Sequence, residues 1–502
     1  MAGPTKAPFF VQLMGIGALA MILPALVAGA NENFDVARPF LYGAVFFTFL
    51  AIVLGLATGR YPTSVDSRTY LISLFGAFSL LPLILAAPMA EAVPDTRFLN
   101  VYVEMVSSLT TTGATLFEPD RLPLAIHIWR AQVGWMGGLL MLVCAFALLA
   151  PMTLGGFEVT STQEAGRGAD QYQSQGNVFP SDRLARYFWR ILPIYTAMTA
   201  LLWLVLIILG DPPGLAAIHA MATMSTSGIS SVASFEGNPS GWQGEVLVFV
   251  FLVFALTRRT IQGGLTKPLW PLLIRDRELR VAALFLSVVP LFLFLRHWLG
   301  AWEVDAELDA RALPAFWGGV FMVGSFLTTT GFISGSWDSA QNWSGLSTPG
   351  LLLAGLAVMG GGVATTAGGV KLLRVYALYK HGLREMERLV HPSSIAGRGP
   401  IARRIRTEGA SIAWVFFMLF AMSIAVVMVL LAMTGLTFEE TVILSVAALS
   451  TTGPIASIAT ETPISYADLP DASKLILSGA MVLGRFETLA VIALLNPNYW
   501  RS

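Results

Sequence analysis

A four-residue signature of hydroxyl side chains ending in glycine recurs four times in this chain, and that recurrence limits the fold more than any other feature. It reads Thr110-Thr111-Thr112-Gly113, Ser225-Thr226-Ser227-Gly228, Thr328-Thr329-Thr330-Gly331 and Ser450-Thr451-Thr452-Gly453. Each copy ends a short apolar segment lying between two longer ones. The order long, short, long runs through 69–88, 98–110 and 130–150, then 186–209, 214–226 and 243–257. It runs again through 280–299, 314–328 and 349–378, and a fourth time through 410–434, 438–450 and 473–495. About 13 helical residues reach about 20 Å, short of the ~30 Å of hydrocarbon in a bilayer, so each short segment must enter and leave on one side. A non-helical turn at that depth is tolerated only where it is buried in protein or lines a water-filled path. Glycine suits such a turn because it accepts positive φ. A single copy reads equally well as a helix end capped by glycine at C′. Four copies at matching places read as an internal repeat, with four turns lining one pore.

Composition agrees with a membrane setting. Of 502 residues, 55% are hydrophobic and 12% charged, about half the charge of an ordinary soluble domain. The expected fold is an all-α polytopic membrane protein with two N-terminal helices and four membrane–pore–membrane repeats around a central ion pathway. The boundaries are 1–60 for the two helices, then 61–155, 180–260, 275–390 and 405–502 for the repeats, with the second helix of the third repeat broken. The apolar run 9–29, after Lys6 and ending in Ala28-Gly29-Ala30, imitates a signal peptide but is long enough to span and is expected to stay as a helix. The lone Cys144 excludes an internal disulfide or a cysteine metal cluster. Five scattered histidines without HExxH give no metal site, and the absence of GxxxxGK excludes a phosphate loop. No cofactor is expected on this chain, and any nucleotide control must come from another.

With the amino terminus cytoplasmic, about 23 of the 31 Lys and Arg fall inside and about 7 outside, as the positive-inside rule requires. The basic loops are 258–280 and 371–406. An acidic outer face would concentrate cations at the mouth, with Glu118, Asp120 and Asp338 nearest the turns.

Backbone carbonyls in rings replace the water shell of a monovalent cation, and Ser or Thr hydroxyls add ligands. The candidate ion-binding residues are therefore Thr111, Thr112, Gly113, Thr226, Ser227, Gly228, Thr329, Thr330, Gly331, Thr451, Thr452 and Gly453, with K+ itself at the last two of each copy. One glycine per turn and no Gly-Tyr-Gly predict a short filter of modest K+ over Na+ selectivity. No acidic residue lies inside the signatures, which argues against a divalent cation. Two further features are candidates for gating. The run Gly360-Gly361-Gly362-Val363-Ala364-Thr365-Thr366-Ala367-Gly368-Gly369 holds five glycines, each costing about 1 kcal/mol in a helix, and predicts a flexible intramembrane loop. Arg485 lies in the apolar run 475–495, and a charge there faces the bundle interior or water. Glu487, two residues on, points to another helix face.

These residues resemble the TrkH/KtrB/HKT superfamily of potassium transporters, the TrkH branch most closely, through nearly all of 60–500. The resemblance rests on SSLTTTGAT (107–115), IWRAQVGWMGG (128–138), TTTGF (328–332), GGGVATTAGGVKLLR (360–374), STTGP (450–454) and GRFETLAVIALLNPNYW (484–500). It implies that Gly113, Gly228, Gly331 and Gly453 line a K+ filter, that 360–369 is the family's intramembrane gate loop, and that Arg485 is its pore arginine. The two extra N-terminal helices are the TrkH arrangement and imply ten spans. The second turn departs from the pattern, reading MSTSGISS where TrkH proteins often carry Gly-Gly. The resemblance also implies a homodimer in a bacterial inner membrane, docked on a cytosolic TrkA-type ring of nucleotide-binding RCK subunits. The partners expected are then K+, membrane lipid and that ring, with no nucleic acid.

Other classes fit less well. An embedded enzyme would need paired carboxylates, a nucleophile with its base or metal ligands, and none is readable. A carrier for an organic solute would show inverted halves rather than four hairpins pointing one way. A Na+-preferring relative often carries serine in place of the first glycine, which Gly113 is not, and coupling of K+ to Na+ or H+ stays open at this level.

Overall fold

The structure is a computed structural model that describes residues 7–59, 67–152, 156–157, 180–259, 273, 276–301, 312–346, 348–391 and 400–486. Helices account for nearly every element. Two N-terminal helices, α1 (Phe9–Ala30, turning at Met21) and α2 (Phe34–Thr58), pack against α3 (Ser67–Ala92). Gly17 on α1 sits against Leu85 and Leu81 of α3, so the first segment is part of the packed bundle. There follow α4 (Phe98–Leu109), α5 (Leu124–Cys144, extended by a π-helical turn Ala145–Leu149), α6 (Pro180–Ile208), α7 (Pro213–Ser225) and α8 (Gly241–Leu252). The third unit comprises α9 (Arg277–Ala301), α10 (Ala312–Leu327), α11 (Trp337–Ser344), α12 (Gly350–Met359) and α13 (Leu372–Val390). The chain closes with α14 (Pro400–Ala432), α15 (Phe438–Leu449), the single turn α16 (Ile455–Ile458) and α17 (Asp471–Phe486).

Length sorts these helices as the apolar runs foretell. Among the described residues, seven are long and apolar enough to cross a bilayer: Phe9–Ala30, Phe34–Thr58, Thr69–Ala92, Leu124–Leu149, Pro180–Ile208, Arg277–Leu295 and Ala410–Ala432. The chain is a multi-pass membrane protein. Its outward faces carry large apolar side chains, with Leu56 75% and Ile208 80% exposed, which lipid tolerates and water would not. The ten expected spans are not all of this length. The helices after the second, third and fourth signatures, over 241–255, 350–359 and 471–486, are shorter in the described residues, and the third stops because the glycine run interrupts it.

The short helices α4, α7, α10 and α15, of 12 to 16 residues, stand where the short apolar segments were expected, and each ends at a signature. Helix α15 begins with a capping box in which Thr437 and Glu440 satisfy each other's backbone N–H groups. Glycines let the following helices approach these ends. A Cβ on Gly137 of α5 would stand 1.9 Å from the Leu109 carbonyl oxygen, and one on Gly484 of α17 would stand 2.4 Å from that of Leu449. The two equivalent contacts bring main chain against main chain, as small residues do between membrane helices.

Candidate functional site: a ring of four turns above a broken helix

All four signatures fold the same way. The residue two before the glycine takes the left-handed conformation, with φ of 55° at Thr111, 52° at Thr226, 55° at Thr329 and 53° at Thr451. The next N–H then reaches back to the helix: Thr112 donates to Ser107 O at 2.8 Å, Ser227 to Ala222 O at 2.9 Å, Thr330 to Ser325 O at 2.8 Å and Thr452 to Ala447 O at 2.8 Å. That six-to-one bond with a left-handed C′ residue is a Schellman end. Each signature is thus a capped helix terminus, but threonine rather than glycine occupies the cap. A β-branched residue at positive φ is a strained choice, and the same strain is present four times in register.

What the glycines provide is closeness. A Cβ on Gly113 would lie 2.0 Å from Ser227 O, one on Gly228 2.1 Å from Thr330 O, one on Gly331 2.9 Å from Pro454 Cδ, and one on Gly453 2.3 Å from Ala114 N. First touches second, second touches third, third touches fourth and fourth touches first, so the turns close a ring in chain order. The Gly453 N–H donates to Thr112 O at 2.6 Å across the closing seam. Gly113, Gly228 and Gly331 also take positive φ, between 62° and 84°, whereas Gly453 is held to glycine by the approach of Ala114 alone.

The hydroxyls divide by position. Those one and three before the glycine bond to each other in the first three turns: Thr110 with Thr112 at 2.8 Å, Ser225 with Ser227 at 3.0 Å and Thr328 with Thr330 at 2.9 Å. In the fourth, Thr452 donates to Ser450 O at 3.2 Å. Those two before the glycine behave differently. Thr111 Oγ1 and Thr451 Oγ1 are buried with no hydrogen-bond partner among the described residues, and Thr329 Oγ1 accepts from the broken segment below. The first and third turns share a further bond absent from the others, Ser107 to Ala114 O at 2.7 Å and Ser325 to Phe332 O at 2.9 Å, where Ala222 and Ala447 stand in the remaining two. The ring is therefore closer to two-fold than to four-fold.

On one side of the ring opens a cavity of about 460 Å³, lined by all four signature glycines. Of the acidic residues expected at the mouth, Glu118 lines it, joined by Asp468, while Asp120 and Asp338 do not. On the opposite side lies the glycine run. Helix α12 stops at Met359, residues 360–371 are non-helical and buried, and α13 starts at Leu372. The segment is bound tightly rather than loosely: Gly368 N–H donates to Thr329 Oγ1 at 2.7 Å, and Thr366 Oγ1 to Met224 O at 3.3 Å. Val363 N–H donates to the Glu278 carboxylate at 2.9 Å. Its glycines are again sites of close approach, for a Cβ on Gly368 would meet Ser450 O and Thr451 Oγ1 at 2.3 Å. Gly360, Gly361, Gly362 and Gly369 are packed against backbone in the same way, and Thr365 turns its hydroxyl back to Gly362 O at 2.7 Å. Arg485 reaches this segment from α17, donating to Thr366 O at 2.5 Å. Glu487 lies outside the described residues.

Residues 44–502 match the family of cation transport proteins designated TrkH. The chain belongs to that family. Among similar TrkH-family proteins, the Trk system potassium uptake protein TrkH of Salmonella typhimurium is 29% identical over 501 residues, covering 96% of each chain. The protein of the same description from Halomonas elongata is 30% identical over 438 residues, 86% of this chain and 84% of that one. In three dimensions the fold is that of the potassium transporter TrkH from Vibrio parahaemolyticus, with a TM-score of 0.81 over the whole of both chains at 24% identity. TrkH-family proteins are transporters and not enzymes.

Several residues around the ring lie outside the four signatures and the glycine run. Glu104 and Arg130 form a buried pair at 2.6 Å, and the Glu104 carboxylate also accepts the Leu116 N–H at 2.8 Å. Glu245 accepts three donors beside the third turn. Tyr466 donates to Gly453 O at 3.0 Å, and burial pushes its phenol above the usual range, so it stays a donor. The signal for the charged ones was in view, since an ionisable residue within an apolar segment is a site candidate by default.

Proposed function

We propose that the chain carries K+ through a central pore in which the four signature turns are the selectivity filter. The observation that carries this reading is the ring itself. Four helix C-termini converge on it, each contributing roughly half a negative charge, and four glycines let main chain meet main chain around one axis. Carbonyl and hydroxyl oxygens are the only ligands such a ring offers, which suits a weakly hydrated monovalent cation. Buried, unpartnered Thr111 and Thr451 hydroxyls add ligands at its inner edge. The broken segment 360–371, bonded to Thr329 and to Arg485, is the gate, and a positive guanidinium beside it opposes a cation until the segment moves.

The same reading puts the protein in a bacterial inner membrane with its amino terminus in the cytoplasm, as a homodimer in lipid. A TrkA-type nucleotide-binding ring docks on the basic loops 258–280 and 371–406 and sets the gate, and K+ is the only small molecule the chain itself handles. The names of the relatives, potassium uptake proteins, support the choice of ion. The test is K+ uptake in cells lacking their own K+ systems, followed by Gly113→Ser and Gly331→Ser. The expectation is uptake by the native chain and a lower K+ over Na+ preference in both variants. Unchanged selectivity in both would remove the filter assignment.

A further inference from the structure

The chain leaving each turn is braced from behind, and the four braces differ. Nine residues before the signature glycine stand Glu104, His219, Met322 and Leu444 in the four short helices. The first two hold their own turns: Glu104 accepts the Leu116 N–H at 2.8 Å and His219 Nε2 bonds Ser230 Oγ at 2.9 Å. Met322 offers the third turn only a thioether, 3.4 Å from Ser334 N, and a sulfur of that kind is a weak acceptor. Leu444 offers nothing polar. Braces for these two turns come from elsewhere, Glu245 on α8 for the third and Tyr466 for the fourth.

We infer that Glu245 is a positioning residue that sets the cation selectivity of the third turn from outside its own repeat. This rests on the pore function proposed above. Glu245 is 3% exposed, and its carboxylate is filled by donors: Trp317 Nε1 at 2.9 Å, Ser334 Oγ at 2.9 Å and Gly335 N at 2.7 Å. No cationic side chain pairs with it among the described residues. An acceptor-only group is what three converging donors require, and a buried carboxylate is tolerable where such bonds satisfy it. Two of its donors, Ser334 and Gly335, follow Gly331 by three and four residues, and the third is on the short helix that ends at that turn. The bonds therefore tie the chain just after the third turn, and the helix that leads into it, to α8 of the preceding unit. Ile333 O in turn accepts from Phe235 N at 3.1 Å, which passes the position on to the second turn. A glutamine in this place must aim its amide NH2 at one of the three donors, losing that bond and opposing the donor.

The test compares Glu245→Gln, Ser334→Ala and Trp317→Phe with the native chain, purified whole and reconstituted in liposomes, by measuring K+ and Na+ flux. Folding damage alone lowers both fluxes and leaves their ratio unchanged. The expected result is a severalfold fall in the K+ over Na+ ratio for Glu245→Gln and smaller falls in the same direction for the two donor variants. Asp35→Asn, exposed at the start of α2 and away from all four turns, keeps the native ratio. Should Glu245→Gln not fold, Ser334→Ala and Trp317→Phe decide alone. Native ratios in every variant that folds overturn the inference, whatever happens to total flux. A native chain that does not itself prefer K+ overturns the proposed function instead, and the inference with it.

Discussion

Arg485 and Thr366 join the last described helix to the broken segment of the third unit. The guanidinium leaves α17 in the fourth unit and donates, at 2.5 Å, to a main-chain carbonyl in the broken segment of the third. Thr366 spends its hydroxyl on Met224 O at the end of α7, and two residues on Gly368 N–H is bound to Thr329 Oγ1 beneath the third turn. The segment is thus held between the ring and the arginine by contacts from the second, third and fourth units. Its glycines admit this packing, and Val363, Ala364 and Val370 add apolar contacts with the main core.

Replacing Arg485 by glutamine removes a charge-assisted bond worth about 1.5–3 kcal/mol and the positive charge beside the pathway. On the proposed function, the balance between closed and open shifts by roughly ten- to a hundredfold toward open. Basal K+ flux of the Arg485→Gln chain in liposomes should rise accordingly, with the K+ over Na+ ratio retained because the ring is untouched. Flux at or below the native level in well-folded protein would take Arg485 out of the gate.

Thr329 is the one cap threonine whose hydroxyl holds the segment below, accepting from Gly368 N–H at 2.7 Å. Thr329→Val keeps the shape and the β-branch while deleting that acceptor. Losing one neutral hydrogen bond, about 1 kcal/mol, predicts roughly fivefold more basal flux. Thr111→Val, at the same place in the first turn, breaks no bond in the structure and should leave basal flux near native while weakening K+ binding, seen as a higher K+ concentration for half-maximal uptake. Equal effects from both variants would mean that the threonines act as ligands only.

Much of this was legible beforehand. The apolar runs gave most of the helices, because a segment with nothing but lipid and other helices around it has no alternative to helix, but α5, α6 and α14 begin six to ten residues before their runs. The four signatures gave the ring, since register among repeats is a long-range property written locally. Which residue would take positive φ was not legible. Glycine is the ordinary choice, yet threonine caps each helix because the glycine is needed two residues later, where the neighbouring turn passes at contact distance. Nor was the cohesion of 360–371 legible, for five glycines predict flexibility until their neighbours are known to be main chain. Glu104 and Glu245 were visible as charges in apolar segments, but the turns they brace were not, and Tyr466 carried no local signal at all.

The buried pair behind the first turn tests how much of this bracing is stability and how much is function. Glu104 and Arg130 are 1% and 3% exposed and 2.6 Å apart. Removing one partner leaves the other buried without its counter-ion, at up to about 3–5 kcal/mol, although Arg130 keeps His127 Nδ1 at 3.2 Å and Glu104 keeps the Leu116 N–H at 2.8 Å. Glu104→Leu and Arg130→Met should each lower the thermal unfolding midpoint of the detergent-solubilised protein markedly. Replacing a buried pair by apolar residues of similar volume is often neutral, so the double variant should recover most of the loss, as strong coupling in a double-mutant cycle. Additive losses would show that the two side chains act independently. The recovered variant still lacks an acceptor for the Leu116 N–H, which Glu104 supplies at 2.8 Å. On the proposed function its stability therefore returns while its K+ over Na+ flux ratio stays below native, which separates the part of the pair that holds the fold from the part that holds the turn.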